Sequence, residues 1–220
     1  MEIIVEKTEI ASTDLLFAIE HAALDMVQEK DMLGELDAMI GDGDLGVTIE
    51  LGCRSLQSGL RNPKDSDIGA ILVESGQNFS RAASSTFGIL VATAFLRAGK
   101  EVGGRAAIGL SDLVKMGKAV SEGIQSRGNA RLGDKTILDA IIPAVQALEK
   151  AEKEGKGLGE ALDWAVLAAK DGMESTIPLK SRYGRAAWLS EKSVGVRDPG
   201  ATAVCLFLES FVRYLKARLA

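Results

Sequence analysis

Asp37-Ala38-Met39-Ile40-Gly41-Asp42-Gly43-Asp44-Leu45-Gly46 is the stretch on which the fold turns. Gly41, Gly43 and Gly46 match the G-x-G-x-x-G spacing that opens a dinucleotide-binding α/β unit. Two features count against that reading. No β-strand pattern precedes the glycines. Two carboxylates, Asp42 and Asp44, lie inside the turn, where they repel a pyrophosphate unless cations lie between. An EF-hand fails too: Asp42 and Asp44 fit its first two ligand positions, but Leu45-Gly46 break the pattern and Cys53 takes the twelfth. What remains is a Gly-rich turn carrying Asp37, Asp42 and Asp44 into a helix start.

On both sides of this turn the chain reads as amphipathic helices. Ser12-Thr13-Asp14 open a first helix, with Leu15, Ile19, Ala22 and Met26 at helical spacing. A second runs from Asp44 to about Leu60, a third from Asp67 to Ser80, and a fourth from Ser85 to Ala98. The fourth is apolar nearly all round, which predicts burial on several sides. A fifth starts at Ser111-Asp112 and a sixth at Asp134, with Pro143 inside it as a predicted kink. A seventh covers Leu158 to Glu174, and an eighth starts at Asp198-Pro199 and runs towards the C-terminus. Eight helices without a convincing strand predict an all-α fold, residues 1–220 forming a single domain. Thr176 to Asp198 is a long polar, basic connection with no period, a length that usually marks function or mobility.

Composition narrows the function. The chain has 220 residues, 46% hydrophobic and 26% charged, enough for a core without staples. A net charge of −5 disfavours a strongly basic nucleic-acid binder. Cys53 and Cys205 sit in apolar helical patterns outside any CxxC, so neither a disulfide scaffold nor a zinc knuckle is expected. His21 is the single histidine, which excludes a His-rich zinc site; it reads as a satisfied mid-helix residue. Met1 to Lys7 lack a signal-peptide pattern, and the most apolar run, Phe87 to Leu96, is too short to span a membrane. A cytoplasmic location is the default expectation.

Hard divalent cations want carboxylate oxygens, and Mg²⁺ is commonly shared between carboxylates and phosphates. On spacing alone, Asp37, Asp42 and Asp44 read either as such a site or as an N-cap with solvated turn residues. Gly133-Asp134-Lys135-Thr136 reads as a capped helix start. Asp198-Pro199-Gly200-Ala201-Thr202 reads as one whose free N–H groups can also receive a phosphate. Lys180, Arg182 and Arg185 make either a phosphate clamp or an exposed basic loop. Arg81 to Gly88 carries small residues that let a ligand approach a helix start. Together these point to a nucleotide bound through divalent metal. Neither a Walker A sequence nor a protein-kinase signature set is present.

These stretches, in this order, resemble the nucleotide-binding L subunits of dihydroxyacetone kinases. The resemblance runs through Leu36-Asp37, Gly41 to Asp44, Gly133 to Ala140, Tyr183 to Leu189 and Ser193 to Thr202. It implies a barrel of eight antiparallel amphipathic helices with the nucleotide, ADP or ATP, at one end. It implies that Asp37, Asp42 and Asp44 hold two Mg²⁺ ions bridging to the phosphates. It implies phosphate contacts from Leu45, Gly46, Val47 and Thr48 and from Ala83 and Ser84. It also implies nucleoside contacts near Gly128 and Ile137, with Arg185, Asp198, Pro199 and Gly200 completing the pocket. The implied reaction is phosphoryl transfer to a short ketose held by a separate K subunit, with recharging by ATP exchange or by a phosphocarrier M subunit. No catalytic residue is expected in this chain beyond the metal-phosphate site.

Two departures from the family pattern stand out. Leu45 occupies the place of a histidine, and Arg81 to Thr86 replaces a Gly-Gly-x-Ser-Gly loop. A kinase subunit for another small ketose, such as erythrulose, and a nucleotide-loaded module docking on a regulator are the alternative readings. An all-α scaffold without ligand leaves the three acids and the basic loop without purpose.

Overall fold

The computed structural model describes residues 7–60 and 66–219. The reading of the first six residues therefore falls outside the described residues. The chain is mostly helical. A short strand, β1 (Glu9–Ala11), leads into α1 (Ser12–Gln28), α2 (Lys30–Ala38) and α3 (Leu45–Leu60). Then come α4 (Ile68–Ala82), α5 (Thr86–Glu101), β2 (Ala107–Gly109), α6 (Leu110–Gly128) and α7 (Leu138–Lys153). After α8 (Leu158–Ser175), a 3₁₀ segment at Arg185–Ser193 precedes α9 (Pro199–Leu219).

The helix starts follow from their caps. Asp67 accepts the Gly69 N–H at 2.8 Å to open α4, and Ser85 accepts the Gly88 N–H at 3.0 Å to open α5. Asp198 accepts the Ala201 N–H at 2.7 Å, with Pro199 at the first helical position of α9. The predicted sixth helix begins later than its sequence suggests. Asp134 instead accepts the Arg131 N–H at 2.8 Å, Lys135 sits at φ 62°, and α7 starts at Leu138. Pro143 is accommodated inside a helix that runs through it.

Each long helix packs on its sequence neighbours: α3 on α4, α4 on α5, α5 on α6, α6 on α7, α7 on α8 and α8 on α9. α9 also packs along α1, and α1 on α3. Leu15, Ile19, Met26, Ile49, Leu56 and Leu72 are buried in the largest core cluster with Val212 and Leu215. Small residues set the spacing: a side chain at Gly46 would overlap the Lys30 carbonyl, so α2 lies directly on the start of α3. The strands pair antiparallel, Ile10 opposite Ile108, both fully buried. His21 is satisfied as expected: its Nδ1 lies 2.9 Å from the Phe17 carbonyl and its ring packs on Phe17 and Tyr214. Among the described residues, no helix is long and apolar enough to cross a membrane.

Candidate functional site: an acid turn beside a helix-lined cavity

α2 delivers Asp37 in its last turn, and the chain then doubles back. The Asp37 carbonyl accepts the N–H groups of Ile40 and Gly41, and its carboxylate accepts the Leu45 N–H at 3.3 Å. Gly43 turns the chain at φ 76°, a conformation that favours glycine. The result brings a carboxylate oxygen from each of Asp37, Asp42 and Asp44 within 4.8 Å of the others. Three hard oxygen donors at that spacing fit a Mg²⁺-type cation. Gly41 is part of the design: a Cβ there would stand 2.6 Å from Asp37 Oδ1. Arg185, from the connection between α8 and α9, pairs with Asp42.

The acids border a cavity of about 710 Å³. Its rim is built from helix starts: Asp44 and Leu45 at α3, Ser85 and Thr86 at α5, Thr136 to Leu138 at α7, and Asp198 to Gly200 at α9. Arg127 and Gly128 enter from the end of α6. Converging helix starts present positive dipole ends, which favour an anion, although the N–H groups of Leu45, Gly88, Leu138 and Ala201 are taken by Asp37, Ser85, Thr136 and Asp198. Phe87, Ile89, Leu90, Ile124 and Ile137 add an apolar part to the lining. The apolar excess of α5 thus faces this cavity through Ile89, which is 39% exposed, rather than being buried all round. A polar, helix-started rim with an apolar wall suits a ligand with a charged end and a flat apolar end.

Of the residues picked from sequence, Asp37, Asp42, Asp44, Leu45, Ser84, Gly128, Ile137, Arg185, Asp198, Pro199 and Gly200 line the cavity. Gly46, Val47, Thr48 and Ala83 are not in its lining. Gly46 packs against α2, Val47 is 60% exposed, and Ala83 is in the core. Thr48 donates its hydroxyl to Ser85 Oγ at 3.0 Å, joining two of the helix starts. Within the basic loop only Arg185 reaches the acid turn. Lys180 pairs with Glu191 at 2.5 Å and Arg182 with Asp134 at 3.2 Å.

A family model described as the DAK2 domain matches residues 39–213. The chain belongs to the DAK2 domain family. Relatives carry that further. The chain is 34% identical over 181 residues to the PEP-dependent dihydroxyacetone kinase ADP-binding subunit DhaL of Escherichia coli, covering 82% of this chain and 86% of that one. It is 34% identical over 188 residues to an L-erythrulose 1-kinase of Mycolicibacterium smegmatis, covering 83% of this chain but 32% of that protein. The fold is similar to that of the C. freundii dihydroxyacetone kinase in complex with AMP-PNP and Mg²⁺. That likeness has a TM-score of 0.70 and 22% identity, over 97% of this chain and 36% of the other.

In this DAK2 domain the sequence reading passes over Arg127, and it names the stretches containing Ser85, Thr86, Thr136 and Tyr183 without picking these residues as contacts; all five line the cavity. Ser85 and Thr136 carry a usable signal as small polar residues at helix starts. Tyr183 does not; its hydroxyl donates to the Asn129 carbonyl at 2.8 Å, a contact across 54 residues. Burial pushes the Asp198 carboxyl up to about 7; Asp139 adds to this, while the Ala201 N–H and Lys135 oppose it. Burial pulls the Lys135 ammonium down, opposed by Asp198 and Asp139.

Proposed function

We propose that this chain is the nucleotide-binding subunit of a dihydroxyacetone-type kinase, a phosphotransferase that works with a separate ketose-holding K subunit. The observation that carries this is the acid triad beside the α3, α5 and α9 starts. Asp37, Asp42 and Asp44 would hold two Mg²⁺ ions, which supply charge neutralisation for the phosphates of ADP or ATP. The first turn of α5 would then offer N–H groups to the phosphates, and Arg185 would add a charged donor. Phe87, Ile89, Ile124 and Ile137, with the backbone at Gly128, form the surface for the base. Positioning the phosphates and neutralising their charge is the protein's main work, because phosphoryl transfer depends on these more than on covalent chemistry. Leu45, buried beside the acids, offers no side-chain hydrogen bond there.

The pairwise packing from α1 and α3 round to α9 and back to α1 supports a closed barrel of eight antiparallel helices. α2 is then an insertion that carries Asp37, and residues 1–220 act as one domain. A cytoplasmic location and recharging by a phosphocarrier M subunit or by exchange with ATP complete the reading. The erythrulose kinases among the relatives favour a second substrate, because the chain is as identical to one of them as to the E. coli subunit. The K subunit, not this chain, would choose between the two ketoses.

Mass spectrometry of the purified chain, with and without a chelator, is the direct test. Retained ADP that leaves with the metal, or Mg²⁺-dependent binding of added ATP, is the expected result. A chain that binds neither nucleotide in the presence of Mg²⁺ overturns the proposal. Phosphorylation of dihydroxyacetone against erythrulose, with the K partner added, assigns the acceptor.

A further inference from the structure

Lys135 is 2% exposed, one of the largest fully buried side chains of the molecule. Its Nζ donates to the carbonyls of Thr176 at 2.9 Å, Leu179 at 3.1 Å, Ser193 at 2.7 Å and Val196 at 2.5 Å. An ammonium has three protons, so four acceptors at these distances form a cage around one charge. Lys135 reaches it from a left-handed backbone, φ 62°, rare for a residue with a Cβ. Such a conformation persists where its surroundings over-determine it. Asp139 and Asp198, at the starts of α7 and α9, act on the same charge.

The four carbonyls come from both ends of the long connection between α8 and α9. That connection is therefore wrapped on a single cation rather than loose. Between two of the caged residues, Leu179 and Ser193, lie side-chain contacts of this connection with the segment after α6 and with the acid turn. Arg182 meets Asp134 at 3.2 Å, Tyr183 donates to the Asn129 carbonyl at 2.8 Å, and Arg185 pairs with Asp42. Arg185 thus hangs from the cage, and nothing in its own 3₁₀ segment buries it: its side chain is 60% exposed.

We propose that Lys135 is a positioning residue, a tethered cation on which residues 176–198 are wrapped so that Arg185 is presented to the acid turn. Lysine suits this position because a compact ammonium enters a ring of carbonyls that a planar guanidinium does not fit. The role rests on the nucleotide reading only in what Arg185 meets at the cavity.

A double-mutant cycle of Lys135→Met and Arg185→Ala, with two readouts, tests this. Met keeps the stem and removes the charge. Hydrogen exchange in K135M is expected to rise across 176–198 while α1, α3 and α4 keep wild-type protection. Affinity for ADP with Mg²⁺ is expected to fall about tenfold or more in each single variant, the scale of a lost charge-assisted hydrogen bond. K135M should then add less than about twofold on top of R185A, because both act through one guanidinium. Wild-type exchange in 176–198, or losses that multiply, overturns the proposal. If K135M does not fold, Ser193→Ala takes its place. That change removes an Oγ that accepts the Ser181 N–H at 2.9 Å and donates to the Ser190 carbonyl at 2.6 Å, leaving the Lys135 charge in place. The same exchange pattern and the same non-additivity are expected of it. If wild-type protein binds no ADP, the nucleotide reading falls by itself, and the exchange of the peptide containing Arg185 still decides the role of Lys135.

Discussion

Replacing Gly41 by alanine separates the acid turn from the fold that carries it. A Cβ at this position would stand 2.6 Å from Asp37 Oδ1 and 3.1 Å from the Asp37 carbonyl. An ordinary carbon–oxygen contact is about 3.4 Å, so the carboxylate must move by roughly 0.8 Å. Its other oxygen is tied to the Leu45 N–H at 3.3 Å, so rotation strains or breaks that bond. Gly41 is not among the positive-φ glycines, and alanine can adopt its backbone. The gain in unfolded-state entropy, about 0.4–1 kcal/mol, offsets part of the steric cost, and net stability should change by less than about 1 kcal/mol. A Mg²⁺ ion is far less forgiving, since it requires ligands at about 2.0–2.1 Å. Displacing one of three carboxylates should weaken metal binding by about 10–100-fold. Calorimetric titration with Mg²⁺ and a thermal melt on the same samples measure both. Wild-type Mg²⁺ affinity in G41A would refute the joint site. A large fall in melting temperature would instead show that the glycine serves the fold.

Three further outcomes are expected. Gly46→Ala should destabilise the chain by about 1–3 kcal/mol in urea, because the new methyl overlaps the Lys30 carbonyl and pushes α2 off α3; an unchanged denaturation midpoint would show that α2 is loosely held. Burial pushes the Asp198 carboxyl up from 3.8 to about 7, so its folded value lies above its unfolded one. The stability this group contributes is full below about pH 4 and is lost as pH rises through about 7. The melting temperature of wild type relative to Asp198→Asn, a cap that keeps the hydrogen bond without the charge, should fall between about pH 4 and pH 7. A pH-independent difference would contradict the burial argument. Burial also pushes the Cys53 thiol up to about 12 and raises Cys205, so neither should react with a disulfide reagent at about pH 8 until the protein is unfolded.

What can be read in the sequence is what side chains do locally. Ser85, Asp67 and Asp198 announce their helices because a cap acts within three residues. The acid turn is legible for the same reason: Asp37, Asp42 and Asp44 lie within eight positions and glycines fold them together. α2 escapes the sequence pattern because Leu33 is its one buried residue, too little for an apolar stripe. What fixes α2 is non-local: the Lys30–Glu50 ion pair at 2.8 Å and the close approach of Gly46. Strands of three residues are too short to show alternation. The sixth predicted helix starts too early because Asp134 serves the Arg131 N–H while Asp139 takes the N–H groups of Gly133 and Thr136. The long basic connection reads as unstructured because its organising partners are backbone carbonyls, which leave no mark in residue type. Lys180 and Arg182 look equal to Arg185 in composition, yet each finds an acid elsewhere.

The electrostatics of the cavity limit what can occupy it. Several helix starts converge there, and each favours negative charge. Three carboxylates at the same rim, within 4.8 Å of one another, oppose it. An isolated anion would gain from the helices and lose to the acids, whose repulsion at a few ångströms is the larger effect in a partly buried site. An isolated cation would face the reverse conflict, with Arg185 already paired to Asp42. A polyanion arriving with divalent cations meets both demands, the metals on the acid turn and the phosphates on the helix starts. On the proposed function, a metal on Asp42 would compete with Arg185 for that carboxylate and would leave the guanidinium to a phosphate. On the proposed function the arrangement would favour metal and nucleotide together, and a chelator should weaken nucleotide binding far more than removal of Arg185 alone.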